Sequence, residues 1–199
     1  MGLEMHLQVI QKIVRRHKPK VVVEVGLKFA TTLLMPIFIR YGATRYIGID
    51  PVARYQCPAE YASFFEYSQE YSLDALPAIP EADLVMLDGD HTYYTVMNEL
   101  QLLHRILKPG SVILLHDVEE PWARKDLYYN KDLIPPEFVD GAKQGVLTAV
   151  EDFLLEKGSD YSPLKIFSGG NGLAYIVRND SSTSQTWRDL LPQFLRTRS

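Results

Sequence analysis

Cysteine is nearly missing from this chain: Cys57 is the only one in 199 residues. No disulfide can close within the chain, and a cysteine-rich zinc site is excluded. A reducing, cytoplasmic setting is the one expected for such usage. Basic excess is missing too. Against 21 Lys and Arg stand 25 Asp and Glu, a net charge of −4, so the footprint of a nucleic-acid binder is absent and no nucleic acid is expected as a partner. The one basic run, "RRHKPK" (15–20), reads as a solvated helix end. No apolar run approaches the roughly 18 residues of a membrane span, so no membrane partner is expected. The start, "MGLEMHLQVI", carries Glu4 and His6, so a signal peptide is not expected. His6 also stands where a myristoylation motif needs Ser or Thr. There is no G-x-G-x-x-G, no internal repeat and no low-complexity tract.

What is present is ordinary for a globular chain: 46% hydrophobic and 23% charged residues. A chain of this size buries roughly 70% of its unfolded surface, enough for one full core. A single domain over 1–199 is expected. Leu3, Leu7, Ile10, Ile13 and Val14 share one face of a helix over 3–17, ended by Pro19. That apolar helix has two uses open to it: covering a sheet, or pairing with a second subunit in a homo-oligomer. "KVVVEVG" (20–26), "TRYIGID" (44–50), "SFFEYS" (63–68), "ADLVMLD" (82–88) and "SVILLHD" (111–117) read as strands. Helices are expected over 29–42, where Pro36 should kink or divide the run, over 55–62, over 95–107 and over 145–158. Lys108-Pro109-Gly110 ends the third of these. Residues 119–143, with Trp122, Tyr128, Tyr129 and Pro135-Pro136, break the rhythm and read as an inserted lid or substrate segment. "GGNG" (169–172) sits between two short apolar runs as the structural turn of a hairpin, and a last helix is expected near 184–196.

Strands alternating with helices predict a doubly wound, mostly parallel α/β sheet with an antiparallel edge strand from the C-terminal hairpin. Such sheets bind ligands beyond the carboxyl ends of their strands, at the switch point of strand order. Glu24, Asp50, Asp88 and Asp117 each fall at or near such an end. Gly26 allows a tight turn and close approach to a ligand. Asp50 follows 24 residues later, where a carboxylate can accept both hydroxyls of a ribose. Asp88 and Asp117 end neighbouring strands, about 4.8 Å apart, a spacing at which two carboxylates can share a divalent ion. The plainer alternatives are that Asp117 caps the next segment and Asp88 binds backbone amides. His91 lies three residues past Asp88. An imidazole titrates near working pH and can take a proton from a hydroxyl. Asp90 reads as a turn former. His116 precedes Asp117 and should face the opposite side of its strand, in a packed or supporting role. Tyr93 and Tyr94 should pack over the strand ends.

"VVVEVGLKFATT", "YIGIDP", "DLVMLDGDHTYYTVMNEL", "ILKPG" and "VILLHDV" together resemble class I S-adenosylmethionine-dependent methyltransferases of the Rossmann-like, seven-stranded type. The similarity is to the small-molecule O-methyltransferases with a D-G-D-H-x-Y motif, which include macrolide, sugar and, more distantly, catechol-type enzymes. It spans about residues 20–178, and the D-G-D-H-x-Y block is its most specific part. The resemblance implies S-adenosylmethionine as cofactor, held by Glu24 and Gly26 at the methionine end, by Asp50 at the ribose and near Glu70–Ser72 at the adenine, with Asp88 alongside. It implies magnesium on Asp88 and Asp117, His91 as the base with Asp88 as its catalytic companion, and a small-molecule hydroxyl as acceptor. Two departures stand out. Ala30 replaces a second glycine of the first loop, and Val118 follows Asp117 where catechol-type enzymes have asparagine. Two other readings stay open at this stage: a non-catalytic Rossmann-like binding protein, and a nucleotide-dependent oxidoreductase.

Overall fold

Side chains of the central strands alternate between two packed faces, as a pleat with period two requires. In a computed structural model, which describes residues 2–52 and 55–180, these strands are β1 (Val21–Val25), β2 (Arg45–Ile49), β3 (Phe65–Ser68), β4 (Ala82–Leu87) and β5 (Leu107–His116). On one face Val23, Val25, Ile47, Ile49, Val85, Leu87, Ile113 and Leu115 pack against α4 (Tyr93–Ile106) and α5 (Val146–Lys157). On the other, Val22, Tyr46, Leu84, Met86, Val112 and Leu114 pack against α1 (Leu7–His17) and α2 (Phe29–Arg40). Residues covered on both faces read as continuous apolar runs, which is why the strands were legible as such.

The sheet order is β3-β2-β1-β4-β5-β7-β6, where β6 is Lys165–Phe167 and β7 is Leu173–Val177. The first five strands run parallel, and β7 pairs antiparallel with β5 and β6. This is the expected doubly wound sheet with its hairpin edge. Strand order reverses between β1 and β4, so the crevice opens beyond the carboxyl ends of β1, β2 and β4.

Local chemistry explains most boundaries. Ile10, Ile13 and Val14 of α1 are buried in the second face, so this helix covers the sheet; fully burying such a side chain stabilises by about 1.5–3 kcal/mol. α2 runs through Pro36 without being divided. Thr92 caps α4 by accepting from the Thr95 N–H at 3.2 Å. That helix ends at Ile106, and β5 begins at Leu107 rather than Ser111. Pro109 explains the shift, because it drives the preceding Lys108 into extended backbone. The helix expected over 55–62 is a single 3-10 turn, Ala59–Tyr61, after Pro58. A further short helix, α3 (Ser72–Ala75), follows β3. No described helix is long and apolar enough to cross a membrane. The helix expected near 184–196 lies outside the described residues.

Glu99 on α4 is buried, and its Oε1 has no hydrogen-bond partner. Burial, only partly offset by the Ser72 side chain, pushes its carboxyl up to about 8. A carboxyl whose pKa is raised on folding stabilises the fold below its unfolded value of 4.5, and that contribution is lost as pH rises to about 8. Glu99→Gln is therefore expected to change the melting temperature little at pH 5. At pH 9 the variant should melt above the parent protein. Equal differences at the two pH values would show that Glu99 is ionised throughout.

Candidate active site

The turn after β1 sets the geometry. Gly26 has φ +84°, and a Cβ there would lie 2.2 Å from the Asp88 carbonyl oxygen. Its N–H donates to the Ile49 carbonyl at 2.9 Å, and the Asp88 N–H donates to the Val25 carbonyl at 2.9 Å. The ends of β1, β2 and β4 are thus drawn together in backbone contact. Asp50 reinforces the turn: Oδ2 accepts from the Leu27 N–H at 2.9 Å and Oδ1 from the Val52 N–H at 2.8 Å. Two backbone donors orient this carboxylate before any ligand arrives.

Beyond these strand ends lies a cavity of about 490 Å³. Gly26, Asp50, Ser72 and Asp88 line it, as do Lys28, Asp90, Tyr129 and Leu133. The volume falls within the roughly 300–1,000 Å³ range of small-molecule and cofactor sites. Of the site residues the sequence singled out, His91 and Asp117 lie behind this wall rather than on it, and Glu24 is not on it either. Glu24 is buried on the face of β1 toward α2, where Oε2 accepts from the Tyr46 hydroxyl at 2.5 Å. Burial pushes its carboxyl up to about 8, against the opposing hydrogen bonds from Tyr46 and Thr31.

Behind Asp88 and Lys28 on the cavity wall, five titratable groups converge. His91 Nε2 lies 3.3 Å from Asp88 Oδ1 and 3.2 Å from Asp117 Oδ2. His116 Nδ1 lies 3.2 Å from Asp88 Oδ1 and 3.3 Å from Asp117 Oδ2. Lys28 Nζ donates to Asp88 Oδ1 at 3.1 Å. Burial opposes charge on Asp88, but His116, His91 and Lys28 outweigh it and hold the carboxyl well below the usual range. Burial likewise opposes charge on Asp117, which His116, His91 and Asn171 nonetheless hold low. Burial works against a charged His116, yet the two aspartates push its imidazole up to about 10. Without an ion, Lys28 and a protonated His116 balance the two carboxylates.

His116 is where the sequence reading needs correction. Strand alternation assigns it to the side away from Asp117. Asp117, however, leaves the strand with φ +60°, a left-handed conformation that Asp tolerates better than most residues. That turn brings the Asp117 carboxylate round to the His116 side. The hairpin turn also does more than close a hairpin. The Gly170 carbonyl is 2.7 Å from His116 Nε2, and Asn171 Nδ2 donates to Asp117 Oδ1 at 2.8 Å. Lys28 was not foreseen either; a lone lysine after a glycine turn carries no motif.

Asp90 behaves as the turn former expected of it. Its Oδ2 accepts from the hydroxyls of Thr92 at 2.9 Å and Thr95 at 2.6 Å. The inserted segment is anchored by buried Asp126, whose Oδ1 accepts from the N–H groups of Tyr93 at 2.8 Å and Gly145 at 2.7 Å. Among its three singled-out aromatics, Tyr129 lines the cavity and sits edge-on to His91, with ring centroids 5.9 Å apart. The Tyr128 hydroxyl turns inward to Asp126. Tyr93 donates its hydroxyl to Asp152, and Tyr94 packs on Phe138, so neither tyrosine reaches the cavity.

The residues fit a divalent ion. Asp88, Asp117 and His116 each offer a donor atom, all within 4.8 Å of one another. The buried nitrogens His116 Nδ1, His91 Nδ1 and His91 Nε2 have no hydrogen-bond partner. Buried polar atoms left this way are uncommon in folded proteins and call for a missing partner.

Residues 23–118 match the family model Methyltransf_24, a methyltransferase domain. The fold is similar to that of methyltransferase PaMTH1 from Podospora anserina, solved with SAH bound. That match has a TM-score of 0.60 at 13% identity and covers 90% of this chain and 80% of that one. It is also similar to the O-methyltransferase TomG from Streptomyces achromogenes, involved in tomaymycin synthesis and solved with SAM, at TM-score 0.57 and 14% identity over 88% and 80% of the two chains. A third likeness is to MycE of the mycinamycin biosynthetic pathway, solved with Mg, SAH and mycinamycin VI. Its TM-score is 0.61 at 14% identity, covering 92% of this chain but 52% of that one. No curated protein sequence matches the chain.

Proposed function

From the match of residues 23–118 to a methyltransferase-domain model and the shared fold, we propose that the chain is a class I methyltransferase that transfers the methyl group of S-adenosylmethionine to a hydroxyl of a small molecule. One observation carries this reading. A single cavity at the strand switch point has Gly26, Asp50 and Ser72 on its wall and reaches the Asp88–Asp117–His91 cluster through Asp88.

The sulfonium cofactor supplies an already activated methyl group, so the protein's task is alignment. Holding two reactants in line can lower a barrier by about 7–11 kcal/mol. The Gly26 turn admits the cofactor close to backbone, and the Asp50 carboxylate, fixed by two N–H groups, faces the ribose hydroxyls. Ser72, at the start of α3, stands at the adenine end. Lys28 provides a cation beside the methionine end as well as a partner for Asp88. Asp88 and Asp117 would hold a divalent ion, whose charge lowers the pKa of a bound hydroxyl. His91 takes the proton: its Nε2 is next to both carboxylates, and Tyr129 meets its ring edge-on. Tyr129 and Leu133, both largely exposed on the cavity rim, give the acceptor an apolar wall. That favours acceptors with an aromatic or macrocyclic body behind the hydroxyl.

The test is release of S-adenosylhomocysteine from the purified full chain with S-adenosylmethionine, a divalent ion and a panel of catechols, phenols and glycosylated macrolactones. Matched amines serve as controls. Turnover with hydroxyl acceptors is expected. Turnover confined to amines would overturn the hydroxyl assignment.

A further inference from the structure

His116 is more than a packed histidine. We propose that its Nδ1 is the third protein ligand of a divalent-ion site completed by Asp88 and Asp117, and that the site prefers a first-row transition ion to magnesium. The inference rests on the reading of Asp88 and Asp117 as metal-holding residues.

The tautomer comes first. His116 Nε2 is 2.7 Å from the Gly170 carbonyl oxygen. A carbonyl only accepts, so Nε2 carries the proton of that bond. The ring is held in this orientation. Gly170 packs closely on the N-terminal turn, where an added Cβ would meet the Met5 Cβ at 2.8 Å. Nδ1 is therefore the atom presented to the carboxylates, 3.2 Å from Asp88 Oδ1 and 3.3 Å from Asp117 Oδ2. It is buried, and neither approach aligns as a hydrogen bond.

These separations suit a shared ion. Two donors about 2.1 Å from one ion, at angles between square and tetrahedral, lie about 3.0–3.4 Å apart. The surroundings have the form that metal-binding imidazoles adopt. The far ring nitrogen donates to a backbone carbonyl, and the ligating carboxylate is itself hydrogen-bonded. Here Gly170 serves the imidazole, and Asn171 Nδ2 takes Asp117 Oδ1, leaving Oδ2 for the site. The donor set decides the ion. Carboxylate oxygens suit magnesium and manganese, but an imidazole nitrogen shifts preference toward manganese, iron, cobalt and zinc.

The experiment uses the full chain, stripped with a chelator and titrated with Co²⁺ alone. Proton NMR of the Co²⁺-loaded protein should show a solvent-exchangeable imidazole N–H resonance, shifted far outside the diamagnetic range. It should vanish in His116→Gln and persist in His91→Gln. In competition titrations, the preference for Co²⁺ over Mg²⁺ should fall at least roughly tenfold in His116→Gln. Co²⁺ binding without that resonance, unchanged preference in the variant, or no Co²⁺ binding would each overturn the proposal. Should His116→Gln not fold, ¹⁵N-imidazole spectra of the unaltered chain with Zn²⁺ decide the matter. A ring bound through Nδ1 with its proton on Nε2 supports the proposal, and a ring protonated at both nitrogens overturns it. Calorimetry with S-adenosylhomocysteine on the same sample separates the two levels of the account. Cofactor binding without ion uptake removes only the metal site, whereas ion uptake without cofactor binding keeps the site and removes the methyl-transfer reading.

Discussion

Asp88→Asn is expected to cut methyl transfer by roughly 10³-fold while S-adenosylhomocysteine still binds within a few-fold of the parent affinity. The side chain keeps its shape and loses its charge. In the folded protein Asp88 Oδ1 is the meeting point of Lys28, His91 and His116, at 3.1, 3.3 and 3.2 Å. Neutralising it deprives the site of half its anionic charge and leaves His91 without one of its two carboxylate neighbours. Asp50 and Ser72, to which the proposal assigns the ribose and adenine, line the cavity apart from this cluster, so binding should survive. The asparagine variant is preferred to alanine, because truncating one partner of a buried ionic cluster costs about 3–5 kcal/mol in stability and would confuse the result. Initial rates under saturating acceptor, beside a binding isotherm for each protein, separate the two effects. A variant turning over as fast as the parent would remove Asp88 from the chemistry.

Gly26→Ala is expected to damage fold and cofactor binding together. Gly26 has φ +84°, and an added Cβ would lie 2.2 Å from the Asp88 oxygen, 2.6 Å from its carbonyl carbon and 2.7 Å from Gly89 Cα. All three neighbours are backbone, so no side chain can rotate out of the way. The strained conformation costs about 1–3 kcal/mol. Overpacking costs a further 1–3 kcal/mol or so. At about 2–4 °C per kcal/mol for a chain of this size, the melting temperature should fall by roughly 10 °C. The shift that relieves the clash must part β1 from β4, which moves Asp88 and the turn that Asp50 holds. Thermal melting and S-adenosylhomocysteine titration should therefore both change. An unchanged melting temperature would contradict the close β1–β4 contact from which the site is built.

The sheet was legible because its strands are apolar runs punctuated by carboxylates. "LVMLDGDH" announces both a buried strand and what lies beyond its end, and Gly26, Asp50 and Asp88 duly line one cavity. His116 was misplaced because the pleat rule holds only while backbone stays extended, and the positive φ at Asp117 breaks it one residue later. Glu24 was read by position along β1, yet strand alternation turns its side chain to the face shared with Tyr46. The contacts of Gly170 and Asn171 with the site span 54 residues of sequence. No local pattern could reveal them, because they depend on β7 lying antiparallel beside β5. The inserted segment was seen only as a break in rhythm. What orders it, Asp126 bonding to the N–H groups of Tyr93 and Gly145, is a tertiary bond with no spacing of its own.

The most direct test of the central claim is a calorimetric titration of the full chain with S-adenosylhomocysteine. Saturable binding at one site per chain, much weakened in Asp50→Ala, is the predicted result. No detectable heat or displacement at any accessible concentration would contradict the account, because the cavity beyond β1, β2 and β4 would then not be a methyl-donor site.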